Sequence, residues 1–230
     1  MATLFNKVSN SKKYIYTANN MMQSGDTAIM AVGDFKCNTG TCAGKEIMLG
    51  TLNLGGDIKC SEHNAQCVLD GENARQVLNV EGTGVNKLSL RSITFKNGLA
   101  DFGGGIHIFG GAIVDIHFCV FSQCRATSTD DDIVDGGGAI TVLGEGATVD
   151  VYGTRLNGNL ANSGKGNDVF LDLKAGNPTI TIHNTCPSPY SSVEATRGDA
   201  LHTFNLELEA YNYYCHYICP PGQYNPTLGS

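Results

Sequence analysis

Three segments, KLSLRSITF (87–95), IVDIHFCVF (113–121) and TVDVYGTRL (148–156), carry apolar residues at the same positions. Stacked, they align Leu88 with Val114 and Val149, Leu90 with Ile116 and Val151, and Phe95 with Phe121 and Leu156. Apolar residues alternating with polar ones have the period of a strand that buries one face. Five residues after the third column stands Ala100, Ala126 or Ala161, and a glycine-rich turn then leads into a second strand, GGGIHI, GGAITV or GNDVFL. A fourth copy begins at PTITIHNTC, with Ile180 and Ile182 in the first two columns. Upstream, CVLDG and QVLNVEG read as strands of preceding repeats.

Phe95 and Phe121 are 26 residues apart, and Phe121 and Leu156 are 35 apart, the excess falling mainly in TSTDDDIVDGG. A period of this length built from short β-branched strands and Gly or Asn turns predicts a parallel β-solenoid of about five coils. One coil alone would expose its apolar face. Stacking places like on like, and each Val, Ile, Leu or Phe fully buried contributes roughly 1.5–3 kcal/mol. The ends of such a stack need covers. Residues 1–23 are expected to cap the first coil, 24–186 to form the solenoid, and 187–214 to cover its end.

Composition agrees with a turn-rich all-β chain: 29 glycines in 230 residues, 16% charged residues and no Trp. A net charge of -7 argues against nucleic acid and anionic membranes as partners, and no apolar run reaches the length of a membrane span. Nine cysteines are many for a cytosolic protein. Cys37 with Cys42, Cys60 with Cys67, and Cys119 with Cys124 lie as local pairs and read as loop-stapling disulfides. Cys186, Cys215 and Cys219 remain, leaving an odd thiol that predicts a partner beyond Ser230 or a free thiol. An extracellular or cell-surface location follows from this cysteine usage, although the first residues have no signal-peptide hydrophobic region. Cys60, His63 and Cys67, or Cys215, His216 and Cys219, are metal-ligand types without paired zinc spacing, so the disulfide reading is preferred.

At the repeat residues the chain resembles the right-handed parallel β-helices of the pectin-lyase-like superfamily, and within it the GGAI and FxxN repeats of polymorphic outer-membrane proteins. GGAI occurs at 110–113 and 137–140, the second at the usual place after the aromatic column; of FKNG, FSQC and LNGN only the last keeps its Asn, Asn159. The likeness covers roughly residues 45–186. It implies the fold and leaves the function open, because that superfamily includes lyases, hydrolases, epimerases, adhesins and phage spikes. The end of the chain, CHYICPPGQYNPTLGS (215–230), resembles the opening of ephrin-receptor-like cysteine-rich repeats, which implies a larger secreted parent and a partner for the odd cysteine.

Between inward positions, side chains point outward. Ser89, Asp115, Asp150 and Thr181 are expected to form one exposed column, and Arg91, His117, Tyr152 and His183 the next. In lyases and epimerases of this architecture such a face binds uronates. By that resemblance His117 or Tyr152 would move a proton and Arg91 would hold a carboxylate, with Asp115, Asp150 and His183 beside them. The other reading is a solvated sheet face. No Asp-Pro-His-Asp signature of mannuronan epimerases occurs. Asp130, Asp131, Asp132 and Asp135 are weak Ca²⁺ candidates without a recognised ligand spacing; a hydrated loop is the alternative, and no cofactor is expected. Glycines 103–105 and 136–138 are read as turn glycines, and Thr141, Thr154 and Thr181 as isolated outward residues. Two functions stand: a non-catalytic extracellular module for adhesion, glycan contact or filament assembly, with polysaccharide, protein or self as partner; or a polysaccharide lyase or epimerase.

Overall fold

The structure, a computed structural model, describes residues 26–30, 33–36, 56–61, 67–128, 136–162, 166–172, 176–183, 190–192 and 215–217. The expected caps at 1–23 and 187–214, the acidic run and Cys37, Cys42, Cys186 and Cys219 lie wholly or mainly outside them.

The chain is all-β, with no helix among the described residues. In order, the strands are β1 (Asp26–Met30), β2 (Gly33–Lys36), β3 (Gly56–Cys60), β4 (Cys67–Asp70), β5 (Leu78–Arg91) and β6 (Ile93–Lys96). Then come β7 (Leu99–Ala100), β8 (Ile106–His117), β9 (Val120–Ser122), β10 (Arg125–Ala126), β11 (Ile140–Leu143) and β12 (Thr148–Tyr152). The last are β13 (Arg155–Asn157), β14 (Leu160–Ala161), β15 (Val169–Asp172), β16 (Thr179–His183), β17 (Tyr190–Ser192) and β18 (Cys215–Tyr217). Three sheets are parallel throughout, and only β17 and β18 pair antiparallel.

Successive repeats pair in the register that the apolar columns predict. Leu88, Val114, Val149 and Ile180 are partners in turn, as are Leu90, Ile116, Val151 and Ile182. Leu69, Phe95, Phe121 and Leu156 form another column, and Ala100, Ala126 and Ala161 a fourth. Side chains from the two larger parallel sheets meet in one buried cluster that includes Ile58, Leu90, Phe95, Ile108, Phe121, Ile140 and Val149.

Equal periods hide unequal geometry. From Leu69 to Phe95 and from Phe95 to Phe121 the chain advances 26 residues each time. Between Thr83 and Lys87, however, β5 carries two residues more than β8 does between Gly111 and Ile113, a bulge in the pairing. The turn before β5 is shorter by the same amount. This places the first GGAI inside β8, at the bulge, while the second leads into β11.

The corners repeat as well. Ser92 and Phe118 (φ 56° and 53°) share a corner position with Gly153 (φ 49°), and Asn97 and Gln123 (φ 51° and 57°) share the next with Gly158 (φ 63°). Each such residue donates its backbone N–H to the following repeat: Ser92 to His117, Phe118 to Tyr152, Asn97 to Ser122 and Gln123 to Asn157. The turn reading of the glycine clusters holds at Gly103 and Gly137, with φ of 54° and 70°. Gly105 has another reason: a Cβ there would lie 2.6 Å from the Ala139 carbonyl and 2.7 Å from the Phe121 ring.

Polar side chains inside the corners serve the backbone. Asn159 accepts from Cys124 N–H (3.0 Å) and donates to the Phe121 carbonyl (3.2 Å) and Asp168 Oδ1 (2.8 Å). Thr154, buried rather than outward, accepts from Cys119 N–H. Thr141 is buried too, donating to the Gly136 carbonyl at 2.9 Å.

Cys60 and Cys67 form a disulfide. Lys59, next to Cys60, pairs with Arg91 and Cys67 pairs with Ile93, so the bridge ties the end of β3 to the start of β4. Cys119 and Cys124 correct the expectation of a third local pair, for both are free and buried. The extended strand β9 runs between them, and at about 3.3 Å per residue it holds them far beyond disulfide reach. Their thiols point to carbonyls of the preceding repeat, Leu90 and Phe95, both at 3.6 Å. Burial pushes each up to about 12, so they remain thiols.

Candidate functional site

The polar face is carried by the second half of β5, the second half of β8, and β12 and β16. Because their apolar residues are locked inward in register, the residues between them must line up outward. Asp57, Ser89, Asp115, Asp150 and Thr181 make one column; Lys59, Arg91, His117, Tyr152 and His183 make the next. All six expected site residues therefore share one face. Its exposure is lower than expected: Ser89 and Asp115 are each only 8% exposed.

The cause is the density of side chains around them. Lys87 Nζ lies 2.7 Å from Asp115 Oδ2, and His117 Nε2 lies 3.5 Å from the same oxygen, too far for a hydrogen bond. Arg91 Nε donates to Ser89 Oγ at 3.0 Å and lies 3.4 Å from Asp57 Oδ1. His183 Nε2 is 2.8 Å from Asp150 Oδ1. The column of rings is a stack. His117 and Tyr152 have centroids 4.6 Å apart with planes within 5°, and Tyr152 and His183 are 4.0 Å apart and within 6°. Each ring thus covers the face of its neighbour.

Electrostatics follow from this packing. The hydrogen bond to Asp115 raises Lys87 above the ordinary lysine range. Burial, then the Arg91 charge, lowers His117, while Asp115 pulls the other way. Burial and the Asp150 and Asp115 carboxylates raise Tyr152. At neutral pH the face holds a charged Lys87, a neutral His117 and a protonated Tyr152. Asp115 Oδ1 and both His117 ring nitrogens are buried without a hydrogen-bond partner.

Lys87 and Asp57 were not singled out in the sequence. The signal for Lys87 was present, since period two puts Lys87, Ser89 and Arg91 on one face. Asp57 sits in GDIKC, outside the aligned segments, and only the alternation around Ile58 marks it. Among the described residues no group of three or more His, Cys, Asp or Glu is placed to hold a metal. Cys60 and Cys67 are occupied by their disulfide. No described helix is long and apolar enough to cross a membrane. No family model matches the chain, and no curated protein or solved structure matches it either.

Proposed function

We propose that this chain is a right-handed parallel β-helix of the pectin-lyase-like kind, serving as a non-catalytic extracellular or cell-surface module whose polar face contacts glycan or protein. The parallel register across all three sheets supports the helix, and the Cys60–Cys67 bridge suits an oxidising compartment. The observation that carries the non-catalytic reading is how completely the face is committed to itself. Its charges are neutralised in pairs, Lys87 with Asp115 and Arg91 with Asp57, Asp150 is hydrogen-bonded to His183, and its ring faces cover one another. What remains for a partner is a row of polar edges: the Tyr152 hydroxyl, the part-exposed His183 ring and the 41% exposed Arg91 side chain. Such edges suit hydrogen bonds to sugar hydroxyls better than stacking on sugar rings. The test is retention of the chain on a panel of immobilised neutral and acidic glycans, with sizing at high concentration. Binding that falls at least tenfold in Arg91→Ala and Tyr152→Ala supports the reading. A monomer that retains no glycan ends the glycan-contact and self-assembly readings.

One observation favours the second reading, a uronate lyase or epimerase. His117 is neutral and without a hydrogen-bond partner, with the Asp115 carboxylate beside it, as a general base would be. Incubation with alginate and pectin, following absorbance of an unsaturated uronate and C5 inversion by NMR, decides it. Activity lost in His117→Ala supports catalysis here; activity unchanged in both His117→Ala and Tyr152→Phe removes the site.

A further inference from the structure

Lys87 and His117 converge on a single oxygen, Asp115 Oδ2, at 2.7 Å and 3.5 Å. We infer that Asp115 is the arm of an acid-operated latch: neutral His117 leaves the carboxylate to Lys87, and protonated His117 takes it and releases Lys87 to solvent.

The inference concerns the regulation of the face proposed above as a contact surface, but the latch itself needs no ligand. A protonated imidazole has two N–H donors and no acceptor. The His117 side chain is only 11% exposed and neither nitrogen has a hydrogen-bond partner, so an imidazolium there would be a buried charge whose nearest carboxylate, Asp115, is already engaged by Lys87. The charged and titratable groups around it leave one solution. Arg91, its register partner in β5, and Lys87 from the same strand are cations and repel it. Tyr152 in β12 covers one ring face, and Asp150 in that strand is held by His183 of β16. Asp57 of β3 is held by Arg91. Asp115 remains, and its Oδ1 is buried and unpartnered.

The two competitors for Asp115 differ in what release costs them. The Lys87 side chain is 54% exposed and exchanges its carboxylate for water at little cost, as surface ion pairs do. His117 has no such outlet. Burial and the Arg91 charge hold it below the ordinary imidazole value of about 6.5, which sets the exchange on the acid side of that value. Afterwards the face has gained a positive charge and a free ammonium group, and an anionic partner would find it more attractive.

The test is an NMR titration of the intact chain, following the His117 ring nitrogens together with the Lys87 ammonium and its side-chain mobility. Lys87 is expected to be restrained at neutral pH and to become mobile over the pH range in which His117 takes up its proton. Lys87→Ala removes a repelling cation and a competitor, so the His117 midpoint is expected to rise by about 0.5 unit or more; Asp115→Asn is expected to lower it. Lys87 unchanged throughout the His117 transition, or a midpoint unmoved in Lys87→Ala, overturns the latch. Should Asp115→Asn fail to fold, Lys87→Ala alone decides, because Lys87 lies at the surface. Glycan binding enters none of these readouts, so failure of the contact-surface reading and failure of the latch are seen separately.

Discussion

Phe95 and Phe121 lie ring over ring, centroids 4.6 Å apart and planes within 7°. Both are fully buried, in a column that Leu69 precedes and Leu156 follows. Phe121→Ala is expected to cost about 3–5 kcal/mol, and Phe121→Leu much less, since Leu already stands on either side of the Phe pair in the column. Urea denaturation of the two variants measures the difference; equal losses would mean that the ring stack, rather than core volume, sets the cost.

The Cys60–Cys67 bridge closes a short loop, and its removal in Cys60→Ser/Cys67→Ser is expected to cost about 2–3 kcal/mol through the freed unfolded chain. The thiols of Cys119 and Cys124 should behave oppositely. Buried and held up to about 12, they are expected to resist alkylation in the native chain and react only on unfolding. Peptide-resolved mass spectrometry after labelling with and without denaturant reads this directly.

Asn159→Ala leaves the Cys124 N–H and Phe121 carbonyl without their side-chain partner, at an expected cost of about 1–3 kcal/mol. Asn159→Asp is expected to be worse at neutral pH, because it sets a carboxylate against Asp168 Oδ1, now 2.8 Å from the Asn159 amide. Thermal melts of both variants near pH 7 give the order.

His107 titrates at about 4 in the fold, lowered from 6.5 by burial. Above about pH 6.5 it is neutral folded or unfolded and adds no pH dependence. As pH falls from 6.5 toward 4, the unfolded chain takes up the proton and the fold does not, so stability declines by up to about 1.4 kcal/mol per pH unit. His117 pulls in the same direction. In His107→Phe the His107 share of this decline should vanish; denaturation curves at pH 7, 5.5 and 4.5, compared with the parent, isolate it.

The repeat was legible because an alternating pattern recurring at a fixed interval has few other physical meanings, and every column drawn through Leu88, Leu90, Phe95 and Ala100 is a column of register partners. The candidate face followed from the same alternation. Its depth did not, because burial of Asp115 depends on where the long Lys87 and Arg91 side chains fold back, and those are rotamer choices. The bulge was hidden because a shorter turn elsewhere in the same repeat restored the period. Cys119 and Cys124 were misread as a pair because closeness in sequence stands for closeness in space only where the chain turns. Between them it is extended.

Register between Phe121 and Leu156 survives nine more residues than register between Phe95 and Phe121 needs. Eight of those nine fall between Ala126 and Ile140. Length between Ala126 and Ile140 is therefore independent of the alignment of the core, and by loop-closure entropy each doubling of a connection's length adds only about 0.6 kcal/mol. Related chains can diverge in size and sequence at this one place while every strand keeps its partner, so it is the natural position for grafting a foreign peptide or a reporter.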